Sequence, residues 1–368
     1  MSKSPGSMPL PELSPEDNGW RLRCEPASWP YWQSAGDTLE WRCEAIAGHS
    51  LDSAPLAWSG EDGALLSFEV LAQSVGQSVD RYAHPVLSLS ADGQRLFNLA
   101  PRQVPMSAAA NFRDYGGYLT ESGQQVAWGK LFRTGHMGDL SDADVEAIAR
   151  LGIVRVCDFR REEEAAHRPS RLPRGLEPTS IVISPGSSMD LFSATLSESV
   201  EEATIDTFMQ EINRDLAANH SASYRRMFDE LLDAREQASI IHCSAGKDRT
   251  GFGGLLVLAA LGVPVADCLD DYLLTNRYVD IEREVARWTR DYEGADTSAW
   301  TGQADGSGPL RFDRQALAVI LGVKASYLQA ALEQINADFD GIDAYLRQQI
   351  GLSDLELSAL RDSYLYPR

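Results

Sequence analysis

Ten residues past the middle of the chain, His242-Cys-Ser-Ala-Gly-Lys-Asp-Arg-Thr-Gly251, carry the strongest chemical signal in the sequence. Cys243 is a nucleophile, Arg249 is a planar cation, and five residues separate them. A loop of that length between a buried strand and a buried helix can curl so that successive backbone N–H groups point inward. It then forms an anion nest at the helix N-terminus. Gly246 permits the backbone turn in mid-loop. Arg249 can grip two oxygens of a phosphoryl group at once, which the point charge of a lysine cannot. Such a cradle stabilises the thiolate of Cys243, the form that attacks, and Thr250 can donate a hydrogen bond to that sulfur. Ser244, Ala245, Gly246, Lys247, Thr250 and Gly251 are therefore expected around a bound phosphate. A Walker-type nucleotide loop is excluded, because its first glycine is missing and Asp248 replaces its Ser/Thr. A buried structural cysteine beside a surface Lys-Asp-Arg turn is the bland alternative, and the complete set of groups argues against it.

To hold this loop, a strand must deliver Cys243 and a helix must receive Arg249. Ala238–His242 reads as a short buried strand. Phe252–Leu261, apolar on all sides, reads as a buried central helix too short to cross a bilayer. Upstream, Ser141 and Asp144 mark the capped start of an amphipathic helix carrying Val145, Ile148 and Leu151, ended by Gly152. The strand Ile153–Asp158 follows, with Asp158 at its carboxyl end, where open α/β sheets gather ligands. Apolar spacings of three and four predict helices over 203–216 and 221–235. Residues 291–310 read as a loop. The C-terminal stretch reads as helices punctuated by Gly341 and Gly351, with Ser353 and Glu356 as a capping box. Residues 108–368 are thus expected to form an α/β domain with a mostly parallel central sheet flanked by helices.

The pattern differs before residue 108. Residues 1–18, rich in Ser, Pro and Glu, are expected to be a disordered tail. Residues 19–107 predict a small all-β, sandwich-like module. Trp20–Cys24, Leu39–Cys43 and Leu66–Val70 alternate as strands, and Val86–Ser90 turns through Asp92-Gly93 into Arg95–Leu99 as a hairpin. Trp20, Trp29, Trp32, Trp41 and Trp58 are expected in its core rather than on a ligand platform.

The His-Cys-x5-Arg-Thr-Gly pattern resembles the signature of cysteine-dependent protein tyrosine phosphatases, and its Gly-Lys-Asp-Arg form resembles their bacterial, PtpB/IphP-like branch. Asn111-Phe-Arg-Asp-Tyr-Gly-Gly-Tyr118 is similar to that branch's Asn-Phe-Arg-Asp-Leu-Gly-Gly segment, with Tyr115 in the Leu position. Asp158-Phe-Arg160, followed by Glu163 and Arg168-Pro169, is similar to its Asp-Leu-Arg element, and Asp271–Asn276 and Tyr345-Leu346 also match in place. The resemblance spans about 108–368 and implies phosphomonoester hydrolysis through a cysteinyl-phosphate. An acid protonates the leaving oxygen and then activates water. Two carboxylates compete for that role: Asp248, which the resemblance favours, and Asp158, which could instead order a loop. The resemblance gives Lys247 a part in phosphoinositide turnover, against a side chain that simply points to solvent. It puts Asn111, Arg113 and Asp114 at the pocket mouth, against a role in bracing the fold. The implied partner is a phosphorylated protein, through phosphotyrosine and also phosphoserine or phosphothreonine, or a phosphoinositide. An inositol-polyphosphate phosphatase and a catalytically dead phosphate-binding module are the competing readings.

A formal net charge of -21 over 368 residues argues against a nucleic-acid or anionic-membrane partner. Met1–Ser7 lacks the apolar run of a signal peptide, and no uncharged apolar stretch reaches membrane-spanning length. A cytoplasmic chain without membrane insertion is expected. Five cysteines without a C-x-x-C pair and six scattered histidines predict no disulfide framework, metal or other cofactor. The oligomeric state has no signature. Cys157 has two readings: a small buried apolar residue, or, if its strand neighbours that of Cys243, a disulfide partner formed under peroxide.

Overall fold

The computed structural model describes residues 12–23, 39–46, 49–50, 56, 65–91, 94–185, 201–292 and 314–367. Up to residue 100 the elements are β1 (Glu12–Glu16), β2 (Gly19–Arg23), β3 (Leu39–Ile46), β4 (His49–Ser50), β5 (Leu65–Ser67), α1 (Phe68–Val75), β6 (Pro85–Ala91) and β7 (Gln94–Leu99). The strands form two antiparallel sheets, ordered β1-β2-β5 and β4-β3-β6-β7. Leu13, Trp20 and Leu66 of the first share one apolar core with Trp41, Leu87 and Leu89 of the second. The hairpin β6–β7 pairs as the alternation predicts. Its turn residues 92–93, like Trp29, Trp32 and Trp58, lie outside the described residues.

Two expectations need correction here. The tail reading of residues 1–18 runs too far, because β1 pairs with β2 from Glu12 opposite Arg23 to Glu16 opposite Gly19. Complete burial of Leu13 in the shared core is the gain that orders it. Leu66–Val70 is not a strand throughout. The Ser67 side chain accepts the Val70 N–H and caps α1, which Gly76 ends in a left-handed conformation.

The remainder comprises β8 (Arg113–Asp114), β9 (Leu131–Thr134), α2 (Asp142–Arg150), β10 (Ile153–Asp158), α3 (Glu162–His167), β11 (Thr179–Ser180), α4 (Glu202–Asn219), α5 (Ser221–Ala234) and β12 (Ala238–His242). It continues with α6 (Asp248–Leu261), α7 (Val265–Leu273), α8 (Thr275–Tyr278), α9 (Ile281–Tyr292), α10 (Arg314–Leu321), α11 (Ala325–Asp338), α12 (Gly341–Gln348) and α13 (Asp354–Tyr364). The sheet order is β11-β10-β12-β9-β8, parallel except at β8. Every residue of β12 is buried. Ile240 packs in a cluster with Phe132, Ile148 and Val156, whereas Ile241 joins a cluster with Phe228, Leu255 and Leu256. Both faces of the strand are therefore covered, which explains its unbroken apolar run. Asp158, His242 and Thr134 stand side by side in the pairing register, so the three central strands end at one level. The loops leaving them share an edge, and Cys243 is on it. The capping boxes at Ser141 and Ser353 both form. Of the loop expected over 291–310, Asp291 and Tyr292 belong instead to the end of α9, and the rest lies outside the described residues. No single helix among the described residues is long and apolar enough to cross a membrane.

Polar contacts, buried around Asn98 and Arg102 and more exposed at Glu12, stitch the antiparallel sheets to the α/β region. The Asn98 carbonyl accepts from Gln125 Nε2 at 2.8 Å and from Trp128 Nε1 at 3.0 Å. The Arg102 guanidinium lies 4.5 Å from the Tyr118 ring centre and 4.8 Å from that of Trp128. Glu12 of β1 accepts from Tyr278 Oη at 2.8 Å and pairs with Arg277.

Candidate active site

The loop Cys243–Lys247 joins β12 to α6 and lies against the end of β9. Gly246 has φ +70°, and a Cβ there would sit 2.5 Å from the Gly135 nitrogen and from the Thr134 carbonyl. Only glycine fits that turn and that approach. The Gly246 N–H points to Cys243 Sγ at 3.2 Å, so the loop does curl with a donor directed inward. Thr250 does not supply the expected bond to sulfur. Its hydroxyl is buried and has no hydrogen-bond partner among the described residues.

Cys243, Ser244, Ala245, Lys247, Asp248 and Arg249 line one side of a cavity of about 170 Å³. Arg249 is not an open fork waiting at its edge. Its Nη1 and Nη2 bind the two carboxylate oxygens of Glu164 on α3 at 2.8 and 3.0 Å, and Nη1 also reaches the Phe159 carbonyl at 3.2 Å. Glu164 accepts the Ser244 hydroxyl at 2.6 Å as well. Burial works against the charge on Glu164, but Arg249 and Ser244 outweigh it and hold the carboxyl well below the usual range. Glu163, which the family resemblance marks, is its exposed neighbour.

The two acid candidates separate clearly in space. Asp248 lines the cavity, accepts from Tyr272 Oη at 3.4 Å and pairs with Lys247 Nζ at 3.2 Å. Asp158 is absent from the lining. It binds Arg160 through Nε at 2.9 Å and Nη2 at 2.7 Å, accepts the Arg160 N–H, and faces His242 at 3.5 Å. Burial opposes its charge, yet His242 and Arg160 prevail and its pKa is lowered, as befits a fixed acceptor that orders the segment after β10. Lys247 does not point to solvent. It is 4% exposed, and its Nζ donates to the Gly322 carbonyl at 3.3 Å.

Asn111, Arg113 and Asp114 are fully enclosed and brace the fold instead of lining the cavity mouth. Asn111 Nδ2 donates to the Gly246 carbonyl at 2.8 Å and to Thr275 Oγ1 at 3.3 Å. Arg113 pairs with Asp271 and donates to Asn111 Oδ1. Asp114 accepts the N–H groups of Gly116 and Gly129.

The peroxide disulfide is ruled out by register. β10 and β12 are neighbours, but Cys157 stands opposite Ile241, two residues before Cys243. With strands about 4.8 Å apart and a rise of about 3.3 Å per residue, that offset separates the two Cα atoms by about 8 Å, beyond disulfide reach. Cys157 is fully buried, and burial pushes its thiol up to about 12.

A sequence profile described as the tyrosine phosphatase family matches residues 104–366. A Cupriavidus necator protein, provisionally named a tyrosine-protein phosphatase, is 31% identical over 259 residues, which is 70% of this chain and 86% of that one. The triple specificity protein phosphatase PtpB of Mycobacterium tuberculosis is 29% identical over 289 residues, covering 72% of this chain and 98% of its own. A tyrosine-protein phosphatase of Nostoc commune is 26% identical over 231 residues, covering 62% and 72% respectively. The profile begins just after the antiparallel sheets end and runs without a break through the cavity and the last helix. Similarity on that scale, centred on this loop, makes the chain a member of the tyrosine phosphatase family.

Proposed function

We propose that this phosphatase hydrolyses phosphotyrosine through a covalent intermediate on Cys243. The thiolate attacks phosphorus, the S–P bond forms as the bond to the leaving oxygen breaks, and Asp248 gives that oxygen its proton. Water then attacks the phosphorus and passes a proton to Asp248. The S–P bond breaks, which releases phosphate and restores the thiolate. Loop N–H groups and Arg249 stabilise the charge on the non-bridging oxygens, with Arg249 moving from Glu164 to the phosphate or sharing itself between them.

One observation carries the substrate reading: the cavity lined by the polar loop also has an apolar wall, to which Phe208, Met209 and Ile212 of α4, Trp288 of α9 and Ile320 and Leu321 of α10 contribute. A phenolic ring can lie against that wall while its phosphate occupies the loop. An inositol polyphosphate would bring several phosphates to the same wall, where Arg161 and Lys247 can offset only part of the charge. The mycobacterial relative is named for triple specificity. We carry breadth of that kind to this chain as phosphoserine and phosphothreonine turnover, with phosphoinositides admitted through the buried cation of Lys247.

The test is a leaving-group series on the full chain. Cys243→Ser is expected to abolish turnover while the protein stays folded. Asp248→Asn should slow a phosphotyrosyl peptide by about 100-fold or more, yet slow an activated aryl ester by less than about 10-fold, since a good leaving group needs little protonation. If Asp158→Asn gives that signature and Asp248→Asn does not, the acid has been misassigned. Faster turnover of an inositol polyphosphate than of the peptide would replace the substrate.

A further inference from the structure

Behind the loop lies a buried guanidinium that the two-step transfer above does not use. Arg133 rises from β9, is 1% exposed, and is absent from the cavity lining. Its Nη2 donates to the Gly246 carbonyl at 3.1 Å and lies 3.5 Å from the Lys247 carbonyl. Its Nη1 binds Asp271 of α7 at 2.7 Å. Arg113 pairs with the same carboxylate, and Asn111 adds a second donor to the Gly246 carbonyl.

Two consequences follow from this arrangement. A trans peptide is planar, with its C=O and N–H on opposite sides. Carbonyls of Gly246 and Lys247 held toward Arg133 therefore turn the N–H groups of Lys247 and Asp248 the other way, to the side of Cys243 and the cavity. The second consequence is electrostatic. Arg113 and Arg133 bind the one carboxylate of Asp271, and with Arg102 acting on it as well three guanidinium charges face the two carboxyls of Asp271 and Asp114, so a positive surplus remains beneath the loop. In a buried site that surplus is little screened, and an anion across the loop is its natural counter-charge.

The helix that receives the loop is cut to admit this side chain. A Cβ at Gly254 would lie 3.2 Å from Nη1, whereas one at Gly251 would first meet the Tyr272 ring at 2.7 Å and reach Arg133 Nη2 only at 3.4 Å. At Gly254, the only atoms such a Cβ would meet within 4 Å belong to Arg133, among the described residues and apart from the helix's own backbone.

We propose that Arg133 is a positioning residue for phosphoryl transfer, aiming the loop N–H groups at the phosphate and supporting the bound dianion with charge from behind. The proposal rests on the reading of Cys243–Arg249 as a phosphate loop.

Arg133→Met, Arg133→Lys and Gly254→Ala in the full chain test it. The measurements are kcat and KM for a phosphotyrosyl peptide and an activated aryl ester, inhibition by orthovanadate, the pH profile of Cys243 alkylation by iodoacetate, and Tm. Arg133→Met is expected to lower kcat by about 10-fold or more on both substrates, since misaligned donors fail whatever the leaving group. It should also weaken vanadate inhibition and move the alkylation profile to higher pH. Arg133→Lys should recover part of each loss. Gly254→Ala removes a glycine from a helix but sets a methyl 3.2 Å from Arg133 Nη1, two opposed effects that should leave the fold intact and Tm within a few degrees, while kcat falls by about 3-fold or more as the guanidinium shifts from the carbonyls. A folded Arg133→Met with a smaller loss in kcat and unchanged vanadate inhibition overturns the proposal. If the Arg133 variants do not fold, Gly254→Ala decides: wild-type kcat at full stability overturns it. Failure of the wild type to hydrolyse either substrate, or full activity in Cys243→Ser, removes the phosphate-loop reading itself.

Discussion

Glu164 occupies the guanidinium of Arg249 much as a phosphate would, with two oxygens on two nitrogens. Its charge orients Arg249 across the cavity and tethers Ser244 at the start of the loop. Glu164→Gln leaves the guanidinium with its counter-charge removed, and breaking a part-buried pair of this kind costs on the order of 1–3 kcal/mol. The expected outcome is a lower Tm and a kcat reduced by about 10- to 100-fold through misplacement of Arg249. KM should change little, because relief from a competing carboxylate offsets the poorer placement of Arg249. Thermal unfolding and steady-state kinetics check both halves. Cys243, Asp248 and Arg249 were legible because they lie within one short segment, where spacing alone implies a shared pocket. Glu164 reaches Arg249 from 85 residues away. It stands in a run of three glutamates at a helix start, a pattern that solvated helices share because acids favour the N-terminal turn. Arg133 likewise has no local signature, since its partners Gly246 and Asp271 lie on other elements. Asp158 kept two readings for the opposite reason: a strand end is a favourable place for chemistry, and only the structure shows that Arg160, two residues on, binds the carboxylate.

At the scale of the element, strand β12, its loop and helix α6 act as one piece resting on the end of β9. Gly246→Ala meets two penalties there, a left-handed backbone and a contact at 2.5 Å with the backbone of residues 134–135. The backbone term alone is about 1–2 kcal/mol. The larger effect should be on chemistry, with kcat/KM reduced by about 100-fold or more as the loop lifts away. Urea unfolding beside kinetics separates the two. Long periodic segments were legible: α4, α5, β10, β12 and α6 all fall where apolar spacing puts them. Short ones were not. Leu66–Val70 alternates, but five residues fit either period, and the Ser67 cap decides for helix beyond the first two. β1 was hidden by Pro15 within a polar run, which an edge strand tolerates because one flank needs no partner. The order β11-β10-β12-β9-β8 arises from pairing between distant segments, for which one sequence holds no signal.

For the whole molecule, buried titratable groups set the response to acid. Burial lowers His84 and His242 to about 4, against about 6.5 in an unfolded chain. Between those values the unfolded chain takes up protons that the folded chain refuses, so stability falls as pH falls. Asp114, raised to about 7 by burial, acts with the opposite sign, being most favourable below its unfolded value of about 4 and losing that benefit as pH rises toward 7. It lies 3.4 Å from His84, so the two titrate together. His136, which burial lowers to about 2, adds to the same side, so three histidines against one aspartate leave a net loss on acidification of roughly 2–3 kcal/mol per pH unit. Below about pH 4, Asp271, depressed to about 2, adds a further loss as it becomes protonated. Tm is therefore expected to fall steadily from pH 6.5 to pH 4.5 in scanning calorimetry. A flat or rising curve there would contradict neutral buried histidines.

The joint at Asn98 has a consequence for inheritance. Its carbonyl receives both the amide of Gln125 and the indole of Trp128, and the Trp128 ring packs with Val86, Ala100 and Tyr366. A lineage that discarded the strands up to Leu99 would strand two polar groups and bare an aromatic face at once. Substitutions at 125 and 128 would have to accompany the loss. The fit between the two parts thus works as a ratchet: each adjustment that tightened it made either part harder to exchange for a foreign one.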